Sequence, residues 1–269
     1  MNASDPLFLV VTAYLAMAVV MAGLWLLQLR VRNASIADVG FCAGLIATVL
    51  WYVTQATGEI ERKVLVAILV VLYAGRLGCY ILLNRVVGKQ EDARYRRLRE
   101  QWGRSERLKM FGYFHLQALA VAGLSLPFLV LIQNPRPPFA LIELAGLLIW
   151  MVAIAGEAMA DWQLAEFRSK SWNHDRVCRE GLWYYSRHPN YFFEWLHWWA
   201  YVVMAIGIPG WPLTWIGPVA MGWALVKVTG IPLAEAQALA SRGEDYRLYQ
   251  QTTNSFIPWW PKRRPIERE

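Results

Sequence analysis

Tyr73, Arg76, Tyr80 and Asn84 are spaced i, i+3, i+7 and i+11 in an otherwise apolar stretch. On a helix that spacing makes one stripe of two phenols, a guanidinium and an amide. At 1.5 Å per residue it runs about 16 Å, from mid-membrane to one end of a span. Such a row reads as a stripe facing a ligand. The plainer reading has Arg76 snorkelling to headgroups and the tyrosines lying at the interface. A second set, Glu157, Asp161 and Arg168, shares a face at i, i+4, i+11. Acids at that depth face a cavity or a partner, whether a ligand or a structural ion pair. A third set lies in "YYSRHPNYFFE", residues 184–194. Pro189 suits the first turn of a helix, which puts Asn190, Glu194 and His197 on one face. Glu194 gains there from the helix dipole, and the open N–H groups suit an anion or a carbonyl ligand. The alternative is an interfacial cap beside an exposed histidine.

Between the second and third sets runs "RSKSWNHDRVCREGLWYYSRHPN". It mixes Arg168, Lys170, Arg176, Arg179 and Arg187 with Trp172, Trp183, Tyr184 and Tyr185. Basic groups neutralise phosphates, and aromatic faces stack on a base. No glycine-rich dinucleotide turn follows a strand and no P-loop is present. A nucleotide would therefore sit in a helical, non-Rossmann cavity. The four histidines show no metal-ligand spacing, so no metal is expected. No nucleophile elbow appears either. Asp38, alone in "ASIADVGFCAGL", reads as a helix-start charge satisfied by the dipole or as a proton-handling group in a cavity.

The elements that must carry these groups are apolar. Hydrophobic residues make up 57% of the chain and charged ones 17%, where a soluble domain has about 25% charged. Mean hydropathy is +0.27. Fifteen Trp and twelve Tyr fit aromatic belts at membrane interfaces. Seven stretches have roughly the 20 apolar residues that a spanning helix needs: 7–29, 36–57, 64–84, 110–132, 139–165, 191–208 and 213–233. The sixth is short, and "PGWP" alone divides it from the seventh, so a count of six is open. The fold expected is all-α and integral to the membrane, with seven transmembrane helices in a single domain, 1–269.

Segment 85–109 carries nine Lys/Arg against four Asp/Glu, and 168–190 carries five against two. Arg30, Arg32 and the basic C-terminal tail fall on the same side. The positive-inside rule then sets the N-terminus outside and the C-terminus in the cytoplasm. These loops explain the net charge of +7. A nucleic-acid partner is not expected of so apolar a chain. Cys42, Cys79 and Cys178 are too dispersed for a disulfide framework. The start, "MNASDPLFLV", has neither the charged opening nor the cleavage site of a signal peptide and reads as a retained first span.

Four segments together resemble the membrane reductase superfamily that contains the steroid 5-alpha-reductases. "GRLGCYILLNR" (75–85) is similar to its Arg-x3-Tyr-x3-Asn-Arg segment, and "DWQLAEFR" (161–168) to its Asp-x6-Arg segment. "GLWYYSRHPNYFFE" (181–194) resembles its Asn-x3-Glu signature, and "RGEDYRLYQQTTNSFIPW" (242–259) its Glu-Asp-Tyr segment. The resemblance implies an enzyme that reduces an electron-poor C=C bond with NADPH. It assigns the cofactor to Arg76, Tyr80, Asn84, Asp161, Arg168, Asn190 and Glu194. Trp172, Asn173, Arg176, Tyr185 and His188 join that set from the intervening segment, and Glu235 stands near the family's final-helix histidine. Residues from about 76 onward would make the cofactor site, and spans one to three the substrate cavity. Tyr73 matches the tyrosine that polarises a steroid 3-keto group. The family's amide–acid pair on span two has no clean counterpart; Asp38 is the candidate acid, with Gln55 and Glu59 at the other end of that span. The implied substrate is an enone lipid such as a 3-oxo-Δ4 steroid, taken by a monomer in a bacterial inner membrane with the cofactor site facing the cytoplasm. Membrane methyltransferases using S-adenosylmethionine, of the isoprenylcysteine carboxyl methyltransferase type, share the "RHPNY" turn. The stripe on span three and Asp161 favour the reductase.

Overall fold

A computed structural model describes residues 4–137 and 139–262. Arg263 and Arg264 of the basic tail lie outside the described residues. The chain divides into two compact units, 1–143 with 205–216, and 144–204 with 217–269.

The first unit opens with α1 (Pro6–Val31), where the Asp5 side chain accepts from Leu7 N at 2.9 Å and Pro6 takes the first turn. It continues with α2 (Ile36–Gln55) and α3 (Ile60–Ile81), which passes into a π-turn over Leu82–Val86. A short polar helix, α4 (Ala93–Trp102), is started by the Asp92 side chain accepting from Arg94 N at 2.9 Å. Two further helices follow, α5 (Glu106–Leu124) and α6 (Leu126–Ile132). α2 packs against α1, α3 and α5. Small residues let these helices approach: a Cβ on Gly44 would meet the Met17 side chain at 2.4 Å, and one on Gly78 would meet Cys42 at 3.1 Å. Tyr52 and Ser125 share a buried hydroxyl pair at 2.9 Å. At the opposite end from α4, the buried Arg62 on α3 pairs with Glu143 at 2.6 Å and donates to the carbonyls of Asn134, Arg136 and Pro137.

The second unit holds most of α7 (Leu141–Ser169), the single-turn α8 (Leu182–Tyr185), α9 (Pro189–Ala205), α10 (Ile216–Trp223) with a π-turn over Ala224–Val228, and α11 (Ile231–Thr252). Glycines set the spacing of α7 and α9. A Cβ on Gly146 would lie 2.7 Å from the Ala200 carbonyl oxygen, and one on Gly156 would lie 2.5 Å from the Phe193 ring. α11 is bent at Gly243, whose φ of +50° a residue with a side chain adopts only with strain. That bend begins the final helical run at "GEDY".

Among the described residues, six helical segments are long and apolar enough to cross a bilayer: Pro6–Val31, Ile36–Gln55, Ile60–Val86, Ala93–Ile132, Leu141–Ser169 and Trp211–Thr252. The described residues are thus all-helical, with no strand among them and six candidate spans rather than the seven expected. The difference is α9. Its 17 residues reach about 26 Å against a hydrocarbon layer of about 30 Å. The fourth segment is apolar only beyond α4, and it is broken at Ser125, where Pro127 opens a new helix. The sixth is apolar through its π-turn and becomes polar along α11, which carries Glu235, Arg242, Glu244, Asp245 and Arg247.

Candidate functional site

In the second unit, the site is built where α7 and α9 run side by side. Asp161 sits about two turns before the end of α7 and Asn190 in the first turn of α9. They meet directly, with Asn190 Nδ2 donating to Asp161 Oδ1 at 3.1 Å. Asn190 Oδ1 also accepts from Tyr191 N at 3.0 Å, which fixes which end of the amide is which. Glu194 follows one turn along α9 and is buried. Three groups expected from two separate sequence motifs therefore lie on the facing elements, two of them in contact.

The turn before α9 is held from several sides. Trp183 packs with Phe167 and Cys178, and its indole N–H donates to the Ala160 carbonyl at 2.9 Å. Gly181, at φ +58°, lies against the Gln163 side chain, whose Oε1 accepts from Leu182 N at 2.9 Å. Tyr249 donates to the carbonyls of Trp183 and Ser186. Arg187 reaches Glu235 at 2.6 Å, the Gln250 carbonyl at 3.0 Å and the Thr253 carbonyl. Gln250 donates to the other Glu235 oxygen at 2.8 Å, and His188 Nε2 lies 3.3 Å from Glu235. The His188 ring stacks on Tyr191. Arg187, His188, Glu235 and Gln250 thus form a clamp that sets where α9 begins, and with it the place of Asn190. Arg179 pairs with Asp245 at 2.6 Å, just past the Gly243 bend.

The remaining candidates of this unit lie nearer its surface. Arg168 and Arg176 are exposed, and Trp172 is 69% exposed. Asn173 donates to the Phe167 carbonyl at 3.0 Å, closing the end of α7. Tyr185 stacks edge-on with Tyr184 and Trp260, and its carbonyl accepts from Trp259 N at 3.0 Å.

In the first unit, Tyr73 is buried on α3 and Arg76 is half-buried one turn on, while Tyr80 and Asn84 are exposed. Asn84 falls in the π-turn and donates to its own helix at the Tyr80 carbonyl, 2.9 Å away. The extra residue of a π-turn shifts the register, so Asn84 does not continue the stripe as a regular helix would have it. Asp38, in the first turn of α2, pairs with Arg94 at 2.8 Å and accepts from the Tyr95 hydroxyl at 2.7 Å. Those contacts favour its reading as a helix-start charge, here bracketing α4, over that of a proton donor. Gln117 approaches the same carboxylate at 3.5 Å.

Sequence reasoning did not find Gln163, Tyr249 or Gln250. The one signal for the last two was their position in the "GEDYRLYQ" segment.

A family model described as "Protein of unknown function (DUF1295)" matches residues 24–253. No curated protein and no solved structure matches the chain.

Proposed function

The chain belongs to the DUF1295 family, and from that premise we propose that it is a membrane NADPH-dependent reductase of the C=C bond of a conjugated enone lipid, such as a 3-oxo-Δ4 steroid reduced to its 5α-dihydro product. The observation that carries this reading is the Asp161–Asn190 contact with Glu194 buried one turn along. An amide beside carboxylates suits a nicotinamide carboxamide, whose NH2 donates and whose C=O accepts. Asn190 Nδ2 spends one hydrogen on Asp161 and keeps the second for a carbonyl. The exposed cations Arg168 and Arg176 suit phosphate oxygens. The donor set therefore fits the cofactor.

Bound NADPH would supply the hydride that adds to the carbon beta to the substrate carbonyl. The C=C electron pair moves toward the carbonyl, and negative charge gathers on its oxygen. Tyr73, buried on α3, would hold a hydrogen bond on that oxygen. In an apolar, water-poor setting a fixed donor of this kind stabilises the developing charge far more than water does. A proton drawn ultimately from solvent to the alpha carbon completes the reduction, so that enone, hydride and H+ give the saturated ketone. The orientation that goes with this reading has the N-terminus outside and the cofactor side in the cytoplasm of a bacterial inner membrane, following the basic segments 85–109 and 168–190.

Ligand-induced stabilisation of the detergent-solubilised chain tests this. NADPH at a hundred times its Kd should add about 2.7 kcal/mol, a rise of about 5–10 °C in Tm at about 2–4 °C per kcal/mol. Glu194→Ala should lose that shift. Stabilisation by S-adenosylmethionine and not by NADPH would reject the reductase in favour of the membrane methyltransferase that shares the Arg187-His188-Pro189 turn.

A further inference from the structure

Segment 85–109 has nine Lys/Arg and four Asp/Glu, and the fold sorts them. Arg85 pairs with Asp92 at 3.3 Å and Arg94 with Asp38 at 2.8 Å. Arg99 takes Glu91 at 2.8 Å, Glu106, and the Gln28 amide oxygen at 2.8 Å. Three arginines thus absorb three of the segment's four acids on its inner side. Tyr95, 1% exposed and edge-on to Tyr113 of α5, fixes α4 in that orientation. The outer side keeps Lys89, Arg96, Arg97, Arg104, Arg107 and Lys109, all exposed, against Glu100. Among the described residues none of these six is in an ion pair. Val87 and Leu108, at 58% and 76% exposed, stand among them.

A merely solvated loop would leave acids and bases mixed on its outer face. This one is joined at both ends to apolar helices, α3 and α5, so it lies at the boundary where hydrocarbon meets water. Cations with interspersed apolar side chains at that level match a layer of phosphodiesters above acyl chains. We propose that the outer face of α4 and its flanking turns, residues 87–109, is a docking surface for anionic phospholipid headgroups. This holds whatever reaction the chain catalyses.

Each basic residue held near an anionic bilayer strengthens binding about fivefold. Thermal stability of the detergent-solubilised chain is followed while dioleoyl phosphatidylglycerol or dioleoyl phosphatidylcholine is titrated in. Phosphatidylglycerol should stabilise the wild type at a concentration at least tenfold below phosphatidylcholine. Combining Arg96→Gln, Arg97→Gln, Arg104→Gln and Arg107→Gln should remove that preference and leave the phosphatidylcholine curve in place. Equal response to both lipids, or an unchanged preference in the fourfold variant, overturns the proposal. So does equal stabilisation by inorganic phosphate, which would mark a site for soluble anions. Should the variant not fold, the wild-type preference is measured from 50 to 500 mM NaCl, as a check made without substitution. It should shrink with salt, and a constant preference overturns the proposal.

Discussion

Tyr73→Phe should lower kcat for an enone steroid by about 10²–10³-fold, the cost of removing one donor to a developing oxyanion, while NADPH still raises the melting temperature as it does for the wild type. Tyr73 is 1% exposed, so the substitution deletes a single buried oxygen and keeps the ring that packs α3. The prediction separates two roles that a simple loss of activity would confuse. A tyrosine needed only for packing would tolerate phenylalanine, because the shape is conserved. A tyrosine that holds cofactor would lose the NADPH-induced shift. A hydrogen bond to the substrate oxygen costs turnover while cofactor binding survives. Full activity in Tyr73→Phe would end its assigned role. Glu194→Ala is the complementary case, with the ligand-induced shift lost before any turnover is measured. The pair of variants assigns one group to the substrate and the other to the cofactor.

Much of the membrane architecture was legible because a spanning helix must be apolar for about 20 residues, and sequence displays that directly. The shortness of α9 was also legible, since "RHPN" and "PGWP" bound it closely. The Asp161–Asn190 meeting was approachable from helical periodicity, because each residue falls on the polar face of its own helix. Three features were not legible. The break at Ser125 lies inside a continuous apolar run, where Pro127 is compatible with a kinked span as well as with two helices. The π-turn at Leu82–Val86 adds a residue to one turn without any compositional mark, and it removes Asn84 from the extrapolated stripe. Long-range partners were hidden altogether. Asp38 looked like an isolated acid because Arg94 and Tyr95 belong to a different helix. Arg187 read as one basic group among several because its partner Glu235 lies in the C-terminal helix.

Arg62 was hidden for the same reason, and its removal should be the most damaging single change to stability. Arg62 and its carbonyl partners lie in short connections between apolar stretches, "GEIERK" and "QNPRPP", and Arg62 is 2% exposed and uses all three guanidinium nitrogens. Nε donates to Glu143 at 2.6 Å, Nη1 to the Asn134 and Arg136 carbonyls at 2.8 and 2.9 Å, and Nη2 to the Pro137 carbonyl at 2.9 Å. One side chain on α3 thereby ties down the connection after α6 and the first turn of α7. Arg62→Met leaves three carbonyls and a carboxylate without their donor. Breaking a buried pair from one side costs about 3–5 kcal/mol, or roughly 6–20 °C in Tm at about 2–4 °C per kcal/mol. Arg62→Lys should recover little, because one ammonium has three hydrogens and no planar fork to reach four acceptors. The sign of the coupling is the sharper test. Arg62→Met combined with Glu143→Leu removes both charges, so the double variant should melt above Arg62→Met alone even though it carries more changes. A double variant that melts at or below the single one would mean that the carbonyl contacts, and not the stranded carboxylate, dominate the loss. An Arg62→Met protein within about 2 °C of the wild type, below about 1 kcal/mol, would show that the cluster contributes little to holding these three elements together.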